Sequence, residues 1–412
     1  MTTSPTDHER RSQVARGFTP AAPIRTRDLF AGRLPQLQKV ISTIEEPGQH
    51  AVLFGERGVG KTSLANIIHA TLGGQVPCAK AACDSRDKFE TVWRRLLEEM
   101  PVEFLQQPIG FEREKEQLLF NLAGARGART DRAAEVAAFL RRSSAKGLVI
   151  VDEVDQLKNA RSRTAFADLI KHLSDSHPGL TLLLVGVADS VTSLIGDHPS
   201  IERCLRQIQL PRMSDVELGE IVDKGAKVGG MSFEPEARQV IVTSSRGFPH
   251  YAHLLGKHAV LAAFDDGRQI VALAHFSTGL EAAIQDATAS VRSEYRLATA
   301  STRPSLYREV LLAAALAQED VHGTVQPRDL VAPLSVLAGR KLRLGQFFPH
   351  LSSLCTPERG QVLEKLGQRR RYRYRFRNPL LKPFVVLMGR RDRLPIERAL
   401  AASLGAQASA GA

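Results

Sequence analysis

The sequence predicts an α/β fold: a parallel-sheet domain, then a helical lid, then a small domain of helices closed by one hairpin. Three observations predict it. From residue 28 to about 212, short apolar runs of strand length alternate with segments of helical period. Two of those runs, at residues 147–151 and 180–188, are apolar without alternation, the pattern of strands buried on both faces. From Ser214 to about Ala287 only helical patterns remain, and strand patterning returns near Gln361.

The elements follow in order. Met1 to Arg27 is polar, carries Pro5, Pro20 and Pro23, and has no apolar signal-peptide core. It is expected as a disordered lead over residues 1–27. A helix is expected from Pro35 to Glu45, broken by Pro47-Gly48, and Ala51 to Phe54 reads as a buried strand. Gly55-Glu56-Arg57-Gly58-Val59-Gly60-Lys61-Thr62 follows, and Ser63 to Ala70 has helical spacing with Leu64, Ile67 and Ile68 on one face. A second strand is expected near Val76 to Ala82, and an amphipathic helix from Phe89 to Met100. Residues 101–130 are irregular and read as an insertion, after which Asp131 caps a helix to Arg142. Gly147 to Val151 then runs into Asp152-Glu153-Val154-Asp155, and Leu180 to Ala188 runs into Asp189-Ser190. Ser214-Asp215-Val216-Glu217 has the form of a capping box opening the helical block, which spans residues 213–290.

The glycine loop carries the chemistry. It fits G-x-x-x-x-G-K-S/T between a strand and a helix, the setting of a phosphate-binding P-loop. Gly58 and Gly60 let backbone N–H groups curl round a phosphate, and the helix N-terminus adds partial positive charge. Lys61 would reach the β- and γ-phosphates of ATP, and the Thr62 hydroxyl would ligate Mg²⁺. Gly55 to Ser63 is therefore the expected nucleotide-binding stretch. Asp152 and Glu153 stand at the C-terminal edge of a buried parallel strand, where open α/β sheets bind ligands. Asp152 would hold Mg²⁺ and Glu153 would polarise the attacking water, as a Walker-B pair. Asp189 or Ser190 could stand beside the γ-phosphate, and an arginine among Arg203, Arg206 and Arg212 could reach a neighbouring subunit's nucleotide.

Charge adds a partner. The net charge is +12, and residues 340–400 hold 16 Lys/Arg against 4 Asp/Glu, so the whole excess sits there. Such asymmetry points to one basic surface facing a polyanion, and nucleic acid is the expected partner. Within it, Gln361 to Leu366, a turn at Gly367-Gln368 and Arg369 to Phe376 form a hairpin pattern. Alternation puts Arg371, Arg373, Arg375 and Arg377 on one face and Tyr372, Tyr374 and Phe376 on the other. The arginine row is expected to be exposed and to contact DNA, with Arg390-Arg391-Asp392-Arg393 extending it. Residues 387–412 are expected as a basic, then flexible, tail. Cys78, Cys83, Cys204 and Cys355 lack metal spacing and read as free thiols of a reducing cytoplasm. No apolar run is long enough to span a membrane.

Leu29-Phe30-Ala31-Gly32-Arg33, the P-loop, Val151-Asp152-Glu153 and the helical block with Gly247-Phe248-Pro249 resemble the AAA+ ATPases of the origin-recognition type over residues 28–290. The resemblance implies a P-loop AAA+ nucleotide-binding domain (28–212), a helical lid (213–290) and a winged-helix domain (303–386). It places Phe30 and Arg33 near the adenine, Asp189 at the sensor-1 position and His250 at sensor 2. Asn and Arg are usual at those two positions, so slow turnover or use of ATP as a binding switch fits the departures. Arg246 could stand in for His250. Arg203 is the first choice for an arginine finger acting on a neighbouring subunit, and Arg206 the second.

The expected function is therefore ATP hydrolysis with binding of double-stranded DNA, the ATP state controlling head-to-tail self-association. The alternative is a regulatory NTPase switch that senses a protein or small ligand, in signalling or phage defence, with the winged helix as an interaction module.

Overall fold

The computed structural model describes residues 5–24, 30–99, 133–140, 147–176, 179–188, 199–320, 322–368 and 371–408. They belong to two compact units, Ala22–Arg212 and Met1–Ala21 with Met213–Ala412. The chain opens with α1 (Pro5–Gly17), part of the second unit.

The first unit holds α2 (Leu34–Glu45), β1 (His50–Gly55), α3 (Lys61–Leu72), β2 (Cys78–Ala82), α4 (Phe89–Glu99), α5 (Ala133–Leu140), β3 (Gly147–Asp152), α6 (Ala160–Ser176), β4 (Leu180–Val187) and β5 (Leu205–Gln209). The strands form one parallel sheet in the order β2-β3-β4-β1-β5. Every residue of β1 and β3 is buried, as their unbroken apolar runs require. Because β1 feeds α3 across to the far edge while β5 flanks its other side, the C-terminal end of β1 is a topological switch point, where such sheets bind ligands. One face packs on Phe89, Trp93 and Phe166, with ring centroids 6.2 and 4.9 Å from Phe89. Each such side chain contributes about 1.5–3 kcal/mol by burial.

Two elements here have no counterpart in the sequence reading. Helix α6 carries its apolar positions Phe166, Leu169, Ile170 and Leu173 at helical spacing, so its signal was present. Strand β5 is short and exposes alternate polar residues, which leaves little signal. The insertion at residues 101–130 lies outside the described residues.

The second unit continues with α7 (Asp215–Val228), β6 (Ser232–Phe233), α8 (Pro235–Ser245), α9 (Pro249–Asp265), β7 (Ile270–Val271), α10 (Leu273–Asp286) and α11 (Ala289–Thr299). Then come α12 (Tyr307–Leu316), α13 (Val331–Leu337), α14 (Leu344–Ser353), the antiparallel pair β8 (Leu363–Leu366) and β9 (Arg373–Phe376), α15 (Leu381–Arg391) and α16 (Ile396–Ala408). The capping box at α7 forms: the Ser214 hydroxyl accepts from the Glu217 N–H, and Glu217 Oε2 accepts from the Ser214 N–H at 2.8 Å.

Three expectations are corrected. The lead expected to be disordered contains α1, because Val14 and Phe18 are anchors that polar composition hid. The Phe18 ring sits against Gly225 and Gly256, where an added Cβ would stand 2.4 Å from a ring carbon. The tail expected to be flexible contains α16, whose Ile396 and Ala399 are fully buried. The lid and the C-terminal segment are not separate bodies, because α15 is buried continuously from Leu381 to Gly389 and packs on α8, α10, α11 and α12. Lys382, at the start of α15, is itself buried and paired with Glu319 at 2.7 Å.

Candidate nucleotide-binding site

The loop between β1 and α3 has the backbone a phosphate cradle needs. Gly58 and Gly60 lie at φ 85° and 96°, which L side chains rarely adopt. Lys61 is buried at 7 % exposure and folds back on the loop, its Nζ donating to the carbonyls of Gly55 at 3.0 Å and Glu56 at 2.7 Å. Burial pushes its ammonium down to about 8, against the opposing pull of Asp155, Asp152, Glu56 and Glu153. The charge thus stays in the cradle at neutral pH, among acceptors that a phosphate could replace.

The two residues expected to hold a metal meet although they lie ninety positions apart: Thr62 Oγ1 is 3.5 Å from Asp152 Oδ1. Asp152 is 2 % exposed, and its Oδ1 also accepts the Glu153 N–H at 2.9 Å. Glu153 turns left-handed at φ 57° and is exposed. Its carboxyl is raised, first by partial burial, then by Asp152 and Asp155, a shift in the direction a proton-accepting group needs. The donor set, one hydroxyl and one buried carboxylate beside a phosphate cradle, suits Mg²⁺, a hard cation.

Three supporting residues were not foreseen in these roles. Lys80 on β2 places Nζ 3.2 Å from Asp152 Oδ2 and also donates to Asn66 Oδ1. Asp155 accepts the Val187 N–H at 2.7 Å, tying the end of β4 to the acidic turn. Arg212 holds Glu56 through two hydrogen bonds, 2.6 and 3.0 Å. Strand register accounts for Lys80: Ala82 pairs with Asp152, so Lys80, two residues earlier, shares its face.

The other expected residues fall as follows. Arg33 is buried, and its guanidinium donates to the carbonyls of Val59 at 3.3 Å and Pro211 at 2.6 Å, bracing the cradle from behind. Phe30 is half-buried. The Ser63 hydroxyl accepts the Ile24 N–H at 3.2 Å. Arg57 is exposed. Arg203 is exposed and paired with Asp175 at 2.9 Å, whereas Arg206 is held by Glu46 and Ser42 at 2.7 and 2.8 Å. Asp189 lies outside the described residues. In the second unit, the His250 Nδ1–H donates to the Pro20 carbonyl at 2.8 Å, and burial lowers the ring's pKa, so it stands neutral. Arg246 donates to the Leu316 carbonyl at 3.4 Å.

The arginine row is corrected in part. Tyr374 and Phe376 are buried as alternation requires, but Arg373 pairs with Asp320 and Arg375 with Glu364 at 2.9 Å, both half-buried. Arg371 and Arg377 are exposed, Arg377 donating to Gln361 at 2.5 Å. Arg390 and Arg391 do not extend the row: Arg390 is held by Ser244 and Glu397, and Arg391 by Asp392.

A parallel sheet ending in a glycine cradle, with a buried lysine, a hydroxyl and a carboxylate at its switch point, defines a P-loop NTPase. The chain belongs to the Novel STAND NTPase 1 family, nSTAND1, whose model matches residues 21–333. Among solved structures it is similar to the Walker-type ATPase of Pyrococcus abyssi, with a TM-score of 0.50 and 17% identity over 89% of this chain and 98% of that one. It is also similar to the Aeropyrum pernix ORC2 protein in its ADPNP–ADP complexes, with a TM-score of 0.49 and 14% identity over 96% and 98% of the two chains. The Aeropyrum pernix ORC1 protein in complex with DNA gives 0.43 and 15% over 92% and 95%. At 17% identity the likeness to the Pyrococcus abyssi ATPase is one of fold alone. A comparison with curated proteins gives no match. Among the described residues no helix is long and apolar enough to cross a membrane.

Proposed function

We propose that the protein binds Mg²⁺–ATP in the cradle of Gly55 to Ser63, hydrolyses it slowly, and couples its nucleotide state to double-stranded DNA. The observation that carries the nucleotide reading is the meeting of Thr62 and Asp152 at 3.5 Å beside the lysine-bearing loop. Lys61 would exchange its loop carbonyls for phosphate oxygens. Thr62 and Asp152 would hold Mg²⁺, which when bound neutralises charge on the phosphates. Glu153, exposed beside them with a raised carboxyl, would accept a proton from the attacking water. Phe30 would border the adenine, and Arg33 would keep the loop in shape for it. Arg203 is the better candidate to reach a neighbour's nucleotide in a head-to-tail assembly, because its single exposed ion pair with Asp175 is weak. Arg206 would have to break three hydrogen bonds first.

The DNA reading rests on the basic excess of residues 340–400 and on Arg371 and Arg377, at the two ends of the hairpin's second strand, which the reading treats as the wing of a winged helix. A second reading, a regulatory NTPase switch with that domain as an interaction module, is favoured by the acids that neutralise Arg373 and Arg375. One experiment separates them: ATP hydrolysis with and without duplex DNA across a salt titration. Stimulation that fades with salt supports DNA coupling; hydrolysis indifferent to DNA, with no DNA binding at low salt, favours the switch.

A further inference from the structure

The second unit holds a cavity of about 330 Å³, within the size range of small-ligand sites. Helices α10, α11, α12 and α15 form its walls. Four arginines line it: Arg292 and Arg296 from successive turns of α11, Arg308 from α12 and Arg391 from the end of α15. Its floor is apolar, made by Phe384 and Met388, one turn apart on α15, with Tyr295 edge-on to Phe384 at 5.7 Å.

The charge is not balanced. Asp392 pairs with Arg391 at 3.0 Å and with Arg308 at 3.8 Å. Among the described residues neither Arg292 nor Arg296 forms an ion pair; Arg292 reaches only the neutral Gln285 Oε1 at 3.4 Å. The Arg292 Nε is buried and has no acceptor. A solvated helix face would set acids one turn from such arginines. Here Glu294 on the same helix is committed instead to Asn378. A buried donor without an acceptor is destabilising, and an anion in the cavity would satisfy it.

We propose that this cavity is a second binding site, separate from the P-loop, for a phosphorylated organic molecule of about mononucleotide size. Its phosphate would take the guanidinium donors, which match phosphate oxygens in pairs, and its ring or chain would lie on Phe384 and Met388. Convergence of four arginines on one cavity favours a small anion over a duplex, which would need them spread along a surface.

The test uses the full chain and 1-naphthyl phosphate, a fluorescent aryl monophosphate without the diphosphate that a P-loop cradles. Saturable one-site binding is expected. It should weaken roughly tenfold or more in Arg296→Gln, through loss of a charge-assisted contact, and should remain in Lys61→Ala. Arg296→Gln is on the exposed rim and should leave unfolding and ATP hydrolysis unchanged; Arg308→Gln, also exposed, should repeat its effect. Absence of saturable binding overturns the proposal, as does equal binding by the arginine variants. Loss of binding in Lys61→Ala would put the probe in the nucleotide cradle, and 1-naphthol binding as tightly as its phosphate would remove the role of charge. A loss of duplex-DNA binding in the arginine variants, with no probe binding, would assign the cluster to DNA instead.

Discussion

Replacing Lys80 by Met keeps the length of the side chain and removes its charge, which leaves the Asp152 carboxylate without its ion-pair partner. The magnitude follows from the geometry. The pair is separated by 3.2 Å, with side chains 16% and 3% exposed. At an effective dielectric of about 20, two unit charges at that distance interact by about 5 kcal/mol, and breaking a buried pair by removing one partner costs roughly 3–5 kcal/mol. The Ala22–Arg212 unit should therefore melt roughly 6–20 °C lower in the nucleotide-free protein. Mg²⁺–ATP should restore much of this, because a divalent cation at Asp152 replaces the lost charge. The stabilisation by Mg²⁺–ATP should thus be larger in the variant than in the parent, and Lys80→Arg should behave like the parent. Calorimetric scans with and without Mg²⁺–ATP measure both effects. A melting temperature within a degree of the parent would refute the pairing; equal stabilisation by Mg²⁺–ATP in the two proteins would refute the link to the metal site.

Lys61→Ala should abolish measurable ATP binding by equilibrium dialysis, and retained tight binding would remove the cradle argument. Glu153→Gln should bind ATP but turn it over at least a hundredfold more slowly; unchanged hydrolysis would mean that another group activates water. Arg371→Ala with Arg377→Ala should lessen the slope of log affinity for duplex DNA against log salt by about 1.8, at about 0.9 per phosphate contact, while sparing ATP hydrolysis; an unaltered slope would return the hairpin to a solvated edge. His50 is fully buried, its Nδ1 accepts the Leu182 N–H at 2.9 Å, and burial lowers its pKa to about 4. Because the unfolded chain takes up the proton first, stability of that unit should be unaffected by this group above pH 6.5 and fall by on the order of 3 kcal/mol down to pH 4. Urea midpoints across that range should show the loss, and His50→Gln, which can accept the same hydrogen bond without titrating, should flatten it.

What the sequence disclosed follows from how far each interaction reaches along the chain. A phosphate cradle is built from contiguous backbone, so Gly55 to Thr62 could be read as letters, and the Walker-B acids follow directly from a buried strand. Lys80, Asp155 and Arg212 support the same site through strand order, because β3 lies between β2 and β4 and the chain leaves β5 toward Glu56. No local pattern distinguishes them from solvated charges. The same holds for the helix at the N-terminus: its composition is polar, and the Phe18 anchor matters only because Gly225 and Gly256, more than two hundred residues on, leave room for the ring. The hairpin shows the limit most sharply. Alternation assigned the faces of Tyr374 and Arg375, but a face is not a free charge, and Glu364 stands directly opposite Arg375 in the register. A strand read alone counts four cations; a strand read with its partner and with Asp320 counts two, Arg371 and Arg377. Those two set the salt slope that the hairpin can supply, so a measured slope nearer four contacts would require acids to release Arg373 and Arg375 when DNA binds.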